Sequence, residues 1–447
     1  MGDTQVATSK ERLIEDAVAH MWRHGTPISA TRKALGPIAV SGEGVRITDI
    51  DGNTFLDGLG GGSAAATLGY GREDVAQAVA EQLTKLHYTS VRTFLNEPAI
   101  ELARRIAEVA PGDLTTSFFT SSGSESVETA AQMVKAYHKQ KGQPKKTKLI
   151  YRATNFHGVG LVAASLSSSP DYRDWFAPLI DGCVEVVPCY PYRRPDGMSE
   201  EEYGEACAKA IEDAILREGP DTVAAVFAEA IPAGLILPPP ANYLRRLREI
   251  CDEHDVLWVD DEVFVGFGRT GRYFACEHYD VVPDIATASK GITAGYVPLG
   301  AAIARGRVME VLIGDGAAGQ AKVHGHTYSG HAAASAAGIA VLDALERENL
   351  VENAATLGEH AMGRLREFGE THPFVGDVRG KGFLIAIEIV KDKETKEPFE
   401  ASAGVGRRVV GEAMKQHFMC RSARDVVSQS GGMQVGDIIT LFPSLVA

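Results

Sequence analysis

The sequence lacks the features of proteins that are held together by covalent cross-links or by bound metal. Its 447 residues include six cysteines, and none of them forms a C-x-x-C pair or a Cys/His spacing typical of zinc. The thiols are therefore predicted to be reduced, and a disulfide framework and a structural metal site are excluded. The cysteines are Cys183, Cys189, Cys207, Cys251, Cys276 and Cys420.

Long apolar runs and an excess of positive charge are also missing. The longest apolar stretch, VAAVFAEAIPAGLILPPP, is interrupted by Glu229 and Pro232 and cannot cross a bilayer as one helix. The first twenty residues lack the apolar core of a secretory signal, so a cytoplasmic protein without a membrane segment is expected. The formal net charge of −14 would repel a polyanion, which disfavours nucleic-acid binding. The basic run KKTK at 145–148 is predicted to be a solvated loop.

What the sequence does contain is an alternation of strand-like and helical segments. The runs TTSFFT, KLIYRA, VAAVFAE, VLWV and IATAS are separated by helical patterns. This alternation predicts an α/β fold, with a mostly parallel sheet covered on both faces. After residue 330, two helical stretches and the strands FLIAIEIV and DIITLF predict a smaller α+β domain. The N-terminal segment joins that domain through a hairpin turning at Asp51-Gly52-Asn53. The predicted division is an N-terminal segment of the small domain at 1–65, the large domain at 66–330, and the C-terminal small domain at 331–447.

Two loops at predicted strand ends favour a phosphate and a charged ring as ligand, since ligands of α/β sheets bind at the carboxyl ends of strands. In FFTSSGSESVE, Ser122 and Glu125 predict a capping box. Gly123 and Ser124 there bring backbone N–H groups and a hydroxyl to a helix N-terminus, which suits a phosphate. A well-capped helix alone is the alternative. In WVDDEVFV, either Asp260 or Asp261 is expected at the carboxyl end of a strand, where it can hold a protonated ring nitrogen. An ordinary polar strand end is the alternative.

A third loop, DIATASKG, places Lys290 among small and apolar residues. A desolvated lysine has a lowered pKa and attacks a carbonyl as a neutral amine, although most lysines are solvated surface groups. A phosphate cradle, an acid for a ring nitrogen and a buried lysine for an aldehyde are together the requirements of pyridoxal 5′-phosphate.

The stretch GFGRTG at 266–271 matches the spacing of a dinucleotide-binding loop. That interpretation needs a helix beginning inside the glycines and an acid about twenty residues later. The following RYFACEHYDVVPD has no helical stripe, and the prominent acids precede the glycines. The match is therefore predicted to be accidental, and an NAD(P)-dependent oxidoreductase is a remote alternative.

The motifs FFTSSGSESVETA, NFHG, DDEVFVGFGRTG, ATASKG, HTYSGH and VRGKGFLIAIEIVKD, in this order, resemble the class III (omega-type) aminotransferases. The resemblance runs from about residue 36 to residue 446 and is strongest to taurine–pyruvate and omega-amino-acid transaminases. It implies pyridoxal-phosphate-dependent transferase fold type I. It also implies transfer of an amino group from a primary amine or omega-amino acid to a 2-oxo acid, pyruvate being favoured. The cofactor would alternate between pyridoxal phosphate and pyridoxamine phosphate (PMP). An amino-acid racemase or epimerase of the same family is the second interpretation.

The resemblance also implies a role for individual residues. Lys290 would bind the cofactor aldehyde and transfer protons, and Asp261 would pair with the ring nitrogen. Val263 and Phe156 would contact opposite faces of the ring, with His157 as an orienting group. The remaining cofactor contacts would be Ser122, Gly123, Ser124, Glu229 and Thr327, the last reaching the neighbouring subunit's site in a homodimer.

Two substrate contacts follow from the same resemblance. Arg421 matches a mobile arginine that binds an α-carboxylate, with Arg424 as a close competitor. Ala64 stands where close relatives often carry tryptophan, which predicts a roomier pocket. The histidines 324, 326 and 331 are interpreted as part of a backbone-rich interface loop rather than as metal ligands.

Overall fold

A computed structural model describes residues 10–27, 29, 36–168, 175–314, 321–423 and 435–447. The strands are β1 (Ala39–Glu43), β2 (Arg46–Asp49), β3 (Thr54–Asp57), β4 (Leu114–Thr120), β5 (Lys148–Arg152), β6 (Cys183–Val186), β7 (Val223–Phe227), β8 (Leu257–Asp261), β9 (Ile285–Ala288), β10 (Gly300–Arg305), β11 (Val375–Lys381), β12 (Leu384–Ile389), β13 (Phe418–Met419), β14 (Arg421–Ala423) and β15 (Asp437–Leu441). The helices are α1 (Lys10–His20), α2 (Glu73–Lys85), α3 (Glu97–Val109), α4 (Gly123–Gln140), α5 (Leu161–Ser165), α6 (Glu200–Glu218), α7 (Tyr243–Glu253), α8 (Gly306–Ile313), α9 (Ala332–Arg347), α10 (Leu350–Thr371) and α11 (Val405–Lys415).

The central element is a seven-stranded sheet in the order β4-β10-β9-β8-β7-β5-β6. β10 is antiparallel to both of its neighbours, and the other adjacent strands are parallel. Every residue of β7, β8 and β9 is buried, as expected for strands covered by helices on both faces. The predicted α/β fold with a mostly parallel sheet is confirmed. Because β5, β7, β8 and β9 run the same way, the loops after them lie at one edge of the sheet.

Two smaller sheets are built from the terminal parts of the chain. Their orders are β1-β2-β3-β13 and β11-β12-β15-β14. The predicted hairpin is present between β2 and β3, where the Asp49 carboxylate accepts hydrogen bonds from the N–H groups of Asp51 and Asn53, both at 2.9 Å. β13 pairs in parallel with β3, so the chain after α11 lies beside the N-terminal hairpin. The boundaries at 65/66 and 330/331 stay predictions.

The GFGRTG stretch forms a tight turn, and no helix begins within these described residues. Gly268 and Gly271 have φ values of +97° and +83°. A Cβ on Gly271 would lie 2.7 Å from Ala355 of α10, and one on Gly268 would lie 3.0 Å from Leu445. The glycines are therefore explained by close approach to α10 and to the segment after β15, not by a dinucleotide.

One loop differs from its prediction. Lys146 of the KKTK run is buried, and its ammonium donates to the backbone oxygens of His254 and Asp255 at 3.0 and 2.6 Å. The prediction of a solvated loop was wrong at this residue, because the apolar stem of a lysine packs well when backbone carbonyls receive its charge.

Within the ranges that the structure describes, none of the helices is both long and apolar enough to cross a membrane.

Candidate active site

The N-terminus of α4 provides an anion-binding position. Ser122 precedes the helix, and its hydroxyl accepts a hydrogen bond from the N–H of Glu125 at 3.2 Å. The predicted capping box is only half correct, since the Glu125 carboxylate accepts from the N–H of Ser121 at 2.7 Å rather than from Ser122. The first turn of α4 keeps unpaired N–H groups and the positive end of the helix dipole, both of which favour an anion.

Two glycines bring the neighbouring loops into contact with this helix end. A Cβ on Gly123 would lie 2.7 Å from Val263, which follows β8, so only glycine fits there. A Cβ on Gly158 would lie 2.4 Å from Oγ of Ser124, and that hydroxyl accepts a hydrogen bond from the N–H of Val159 at 3.1 Å. The loops after β4, β5 and β8 therefore meet at one point, as the sequence predicted.

Asp261 is the last residue of β8, and its carboxylate is held from three sides. The His157 imidazole N–H donates to Oδ2 at 2.8 Å, the Thr287 hydroxyl donates to Oδ1 at 2.9 Å, and the N–H of Val263 donates to Oδ1 at 3.1 Å. These donors fix the carboxylate in one orientation, in a residue that is only 4% exposed.

Asp260 faces away from the Asp261 carboxylate, because successive side chains of a strand alternate between its faces. Its carboxylate accepts from the N–H of Ala230 at 2.7 Å and lies next to Glu262. The choice that the strand pattern left open between residues 260 and 261 therefore falls on Asp261.

Lys290 follows β9, the strand next to β8, and has a left-handed conformation with φ of +43°. This φ is strained for a residue with a side chain. Its ammonium lies 4.2 Å from the ring centroid of Phe264. The side chain keeps some contact with solvent, but desolvation by the surrounding protein lowers the pKa of Lys290 to about 8. The charges of Asp261 and Glu229 oppose this shift, while Arg421 and Arg269 add to it. Lys290 is therefore partly neutral near neutral pH, as the sequence analysis expected.

Glu229 and Phe156 are two further residues of the site near Asp261. The Glu229 carboxylate accepts from the N–H groups of Phe156 at 3.3 Å and Ala233 at 2.6 Å. Burial, opposed by the nearby His157, raises the pKa of Glu229. The Phe156 side chain is 51% exposed, so one face of a bound ring has room to stack on it.

The predicted substrate residues, Arg421 and Ala64, come from the C-terminal and N-terminal parts of the chain. The Arg421 guanidinium stands 5.2 Å from the ring centroid of Phe442, which meets Phe264 edge to face at 5.0 Å. These rings connect Arg421 with the lysine. Ala64 is buried and ends a turn over Gly60–Ala64, with φ of +59°. Arg424, the competitor of Arg421, lies outside the described residues.

The HTYSGH loop lies at the surface of the chain near α4. Thr327 is exposed, and its carbonyl oxygen accepts from the Tyr88 hydroxyl at 3.0 Å. His326 pairs with Glu125 at 3.5 Å, and His331 accepts from the N–H of Ala334 at the start of α9. These contacts are those of a loop anchored beside the helix N-terminus.

Three contributors were missed by reasoning from the sequence. Thr287 pairs with Asp261 in the register of β8 and β9, and knowledge of that register would have found it. Asp57 accepts from the N–H groups of Leu59 and Gly61 and from the Tyr70 hydroxyl, and so shapes the Gly60–Ala64 turn. Phe442 enters the site from the far end of the chain, and no local signal predicted it.

The pair Asp260 and Glu262 gives a prediction about stability. Burial and the nearby Glu262 raise the pKa of Asp260 well above its usual value, and burial raises that of Glu262 to about 7. The folded chain therefore holds a proton that the unfolded chain releases above about pH 4. This stabilisation is complete below the unfolded pKa and is lost as pH rises through about 7.

Asp260→Asn keeps a neutral side chain at every pH and should lose less stability than the parent between pH 5 and 8. Thermal unfolding of the apoprotein across that range measures this, and each pKa unit corresponds to about 1.4 kcal/mol. Glu277 and Asp261 add to the local charge, and burial raises the pKa of the Cys276 thiol; all three residues are unchanged in the variant. Asp213→Asn, at an exposed position of α6, is the control. Parallel curves for parent and Asp260→Asn would refute the shared proton.

Comparison with known proteins agrees with this geometry. The family model described as Aminotransferase class-III matches residues 29–429. A protein of Mycobacterium tuberculosis named probable aminotransferase is 43% identical, with 85% of this chain and 79% of that protein covered. The taurine–pyruvate aminotransferase of Bilophila wadsworthia is 35% identical over 98% of this chain and 94% of its own length.

A solved structure shares the whole architecture. The omega transaminase of Pseudomonas jessenii in complex with PMP is 31% identical, and the alignment covers 97% of this chain and 94% of that one with a TM-score of 0.90. The anion cradle at Gly123, the buried carboxylate of Asp261 and the desolvated amine of Lys290 fit the phosphate, ring nitrogen and aldehyde of pyridoxal phosphate. The chain belongs to the class III aminotransferases and is a pyridoxal-phosphate-dependent transaminase of fold type I.

Proposed function

We propose that this transaminase takes the amino group from a primary amine or omega-amino acid and gives it to a 2-oxo acid, with pyruvate as the favoured acceptor. The observation that carries the proposal is the position of Arg421, joined to Lys290 through the rings of Phe442 and Phe264. A guanidinium there can pair with the carboxylate of a 2-oxo acid. The taurine–pyruvate relative supports pyruvate.

The protein's residues divide the work at the cofactor. Bound pyridoxal phosphate supplies an electron sink that acidifies the hydrogen on the substrate carbon. Lys290 would take that proton and return it at C4′ of the bound cofactor, a role that needs an amine with a pKa near the working pH. Asp261 holds the positive ring nitrogen, and His157 keeps the carboxylate in place.

The other predicted cofactor contacts position the ring and the phosphate. Val263 and Phe156 would contact opposite faces of the ring, and Glu229 would lie near the ring substituents. Ser122, Gly123 and Ser124 would hold the phosphate at the N-terminus of α4, where the helix dipole favours its charge.

We further propose that the working unit is a homodimer, with Thr327 reaching the phosphate of the partner's site. Large apolar side chains near the HTYSGH loop support an interface: Phe94 and Leu95 are about 70% exposed, and Tyr328 packs on Tyr88. Exposed clusters of this kind mark protein contacts. Sedimentation at micromolar concentration should give the mass of two chains, and a single-chain mass would contradict the proposal. Six free cysteines fit a reducing compartment, so we place the enzyme in the cytoplasm.

A panel of amine donors, each with pyruvate and 2-oxoglutarate as competing acceptors, tests the function. We expect turnover with pyruvate and release of the aldehyde or ketone of the donor. The panel also tests the roomier pocket inferred at Ala64, which should accept bulky amines that Ala64→Trp rejects. Activity confined to compact donors such as taurine or β-alanine would refute the pocket inference. Loss of optical activity from an amino acid, without amino transfer, would favour the racemase alternative.

Arg421→Ala should raise the KM for pyruvate about 10- to 100-fold, since a charge-assisted hydrogen bond contributes roughly 1.5–3 kcal/mol. The half-reaction with a donor that has no carboxylate should be unaffected. Steady-state kinetics with the acceptor varied measures the first effect, and single-turnover absorbance with the donor measures the second. Arg424→Ala is the matched comparison. If only that variant raises the KM, the carboxylate contact belongs to Arg424.

A further inference from the structure

The GFGRTG turn contains a charged residue that the mechanism above does not use. Arg269 is wholly buried, and its guanidinium donates a hydrogen bond to the carbonyl oxygen of Pro443. Within the described ranges its Nε and Nη2 atoms have no hydrogen-bond partner. Desolvation lowers the pKa of Arg269 to about 9, so it remains a cation at neutral pH. A buried cation without a paired carboxylate destabilises a fold, which indicates that this position has a use.

Arg269 contacts residues 442–445, a segment that follows β15 and hydrogen-bonds to the loop of residues 58–67. The N–H of Phe442 donates to the oxygen of Gly58 at 2.9 Å, and the N–H of Leu445 donates to the oxygen of Thr67 at 2.7 Å. The hydroxyl of Ser444 donates to the oxygen of Ala66 at 2.5 Å. Residues 442–445 therefore connect the two sides of the Gly60–Ala64 turn, and Arg269 donates a hydrogen bond to Pro443 within that segment.

The guanidinium also lies directly against the turn. Its Nη2 atom is 3.5 Å from the point where a Cβ on Gly60 would stand, and Gly60 has φ of +49°. The Asp57 carboxylate accepts from the N–H groups of Leu59 and Gly61. The Gly60–Ala64 turn therefore contacts both an acid and a buried cation, and the charge of Asp57 opposes the lowering of the Arg269 pKa.

The segment that Arg269 holds carries the ring on which Arg421 rests. Phe442, next to Pro443, contacts the Arg421 guanidinium at 5.2 Å and the Phe264 ring at 5.0 Å. Phe264 in turn lies 4.2 Å from the ammonium of Lys290. A shift of Pro443 would therefore move Arg421 relative to the lysine.

We infer that Arg269 is a positioning residue for the acceptor side of the site: by holding Pro443 beneath the Gly60–Ala64 turn, it sets the distance between Arg421 and Lys290. The inference rests on the proposed contact of Arg421 with the 2-oxo acid. The GFGRTG turn would then position the substrate site from the boundary between the small sheet β11-β12-β15-β14 and the central sheet.

A double-mutant cycle tests it. Arg269→Met should raise the KM for pyruvate about tenfold. The half-reaction with a carboxylate-free donor should stay within twofold of the parent on the alkaline plateau of its pH profile, where the charge of Arg269 no longer affects the protonation of Lys290. In the Arg421→Ala background, Arg269→Met should add less than twofold, because the contact it positions is already gone. Arg269→Lys, which keeps a donor for Pro443, should recover part of the loss.

A second variant and a second measurement keep the test independent of cofactor loading. Ser444→Ala removes one oxygen atom and with it the neighbouring hydrogen bond to the carbonyl oxygen of Ala66. This variant should also raise the KM for pyruvate. In the apoprotein, amide hydrogen exchange should become faster in residues 58–67 and 442–445 of Arg269→Met. Arg248→Met, which removes a partly buried arginine that pairs with Asp284, should lower stability without changing the KM.

The possible failures are separable. An unchanged KM in Arg421→Ala would overturn the assignment of Arg421 itself. A raised KM there, combined with an unchanged KM in Arg269→Met and Ser444→Ala, would overturn only the inference about Arg269. Additive effects in the double variant would do the same.

Discussion

Lys290→Ala should reduce turnover by about 10⁴-fold or more, because the variant loses both the amine that binds the aldehyde and the group that moves the proton. The folded structure should persist, since the ammonium has no ion pair within 4 Å in the described residues and contacts mainly the Phe264 ring. A small primary amine added to the solution should restore part of the turnover by acting as an external base. Steady-state rates with and without the added amine measure both effects.

Lys146→Ala is the matched control for that experiment. Lys146 is also buried, and desolvation lowers its pKa as well, but it lies at the opposite edge of the sheet with its charge on two backbone oxygens. Its removal should lower the melting temperature and leave turnover within about twofold. Turnover that survives Lys290→Ala without added amine would contradict the assignment of Lys290.

The pKa of Lys290 also gives the direction of a pH profile. With a pKa of about 8, the neutral amine is half of the population at pH 8 and roughly one tenth at pH 7. The rate at which the apoprotein is acylated at Lys290 should therefore rise about tenfold per pH unit below 8 and level off above it. Peptide mass mapping follows the residue directly, with the ordinary surface lysine at 139 as an internal reference.

The loops that bear the chemistry were predictable from the sequence because their signals are local. A strand followed by Ser, Gly and Glu predicted the start of α4, and an aspartate at the end of an apolar run predicted the end of β8. A lysine among small residues predicted desolvation. Since parallel strands end at one edge, their assembly followed from the order of the strands alone.

The rest of the site depends on contacts between distant parts of the chain. Phe442 reaches Phe264 from the segment after the last strand, and the requirement for glycine at 268 and 271 appears only when Leu445 and Ala355 are in place. The half-correct capping box has the same origin. Glu125 turns toward Ser121 and also pairs with His326, which comes from a loop two hundred residues away.

Asp261→Asn should lower the turnover of both half-reactions by about 10²–10⁴-fold, while the fold is retained. The amide has nearly the same shape and can still accept from Thr287 and Val263. It loses the negative charge that would face the ring nitrogen, and its NH₂ group meets the donating N–H of His157. Loss of charge in a buried, oriented position removes electrostatic stabilisation that solvent cannot replace. Single-turnover absorbance with a fast donor alone measures the first half-reaction, and a single turnover of the pyridoxamine phosphate form with pyruvate measures the second.

The same substitution should also move the pH profile of Lys290, and this effect separates charge from shape. The Asp261 carboxylate raises the pKa of Lys290 against desolvation, so its removal should shift the midpoint of acylation in the apoprotein below 8. Asp284→Asn is the control: that aspartate is equally buried but lies before β9, where it accepts from Arg248 and from the N–H of Trp258 at 2.8 Å. It should lower the melting temperature and leave turnover and the acylation midpoint unchanged. If Asp261→Asn behaved like Asp284→Asn in both measurements, the carboxylate at the end of β8 would be structural, and the ring nitrogen would need another partner.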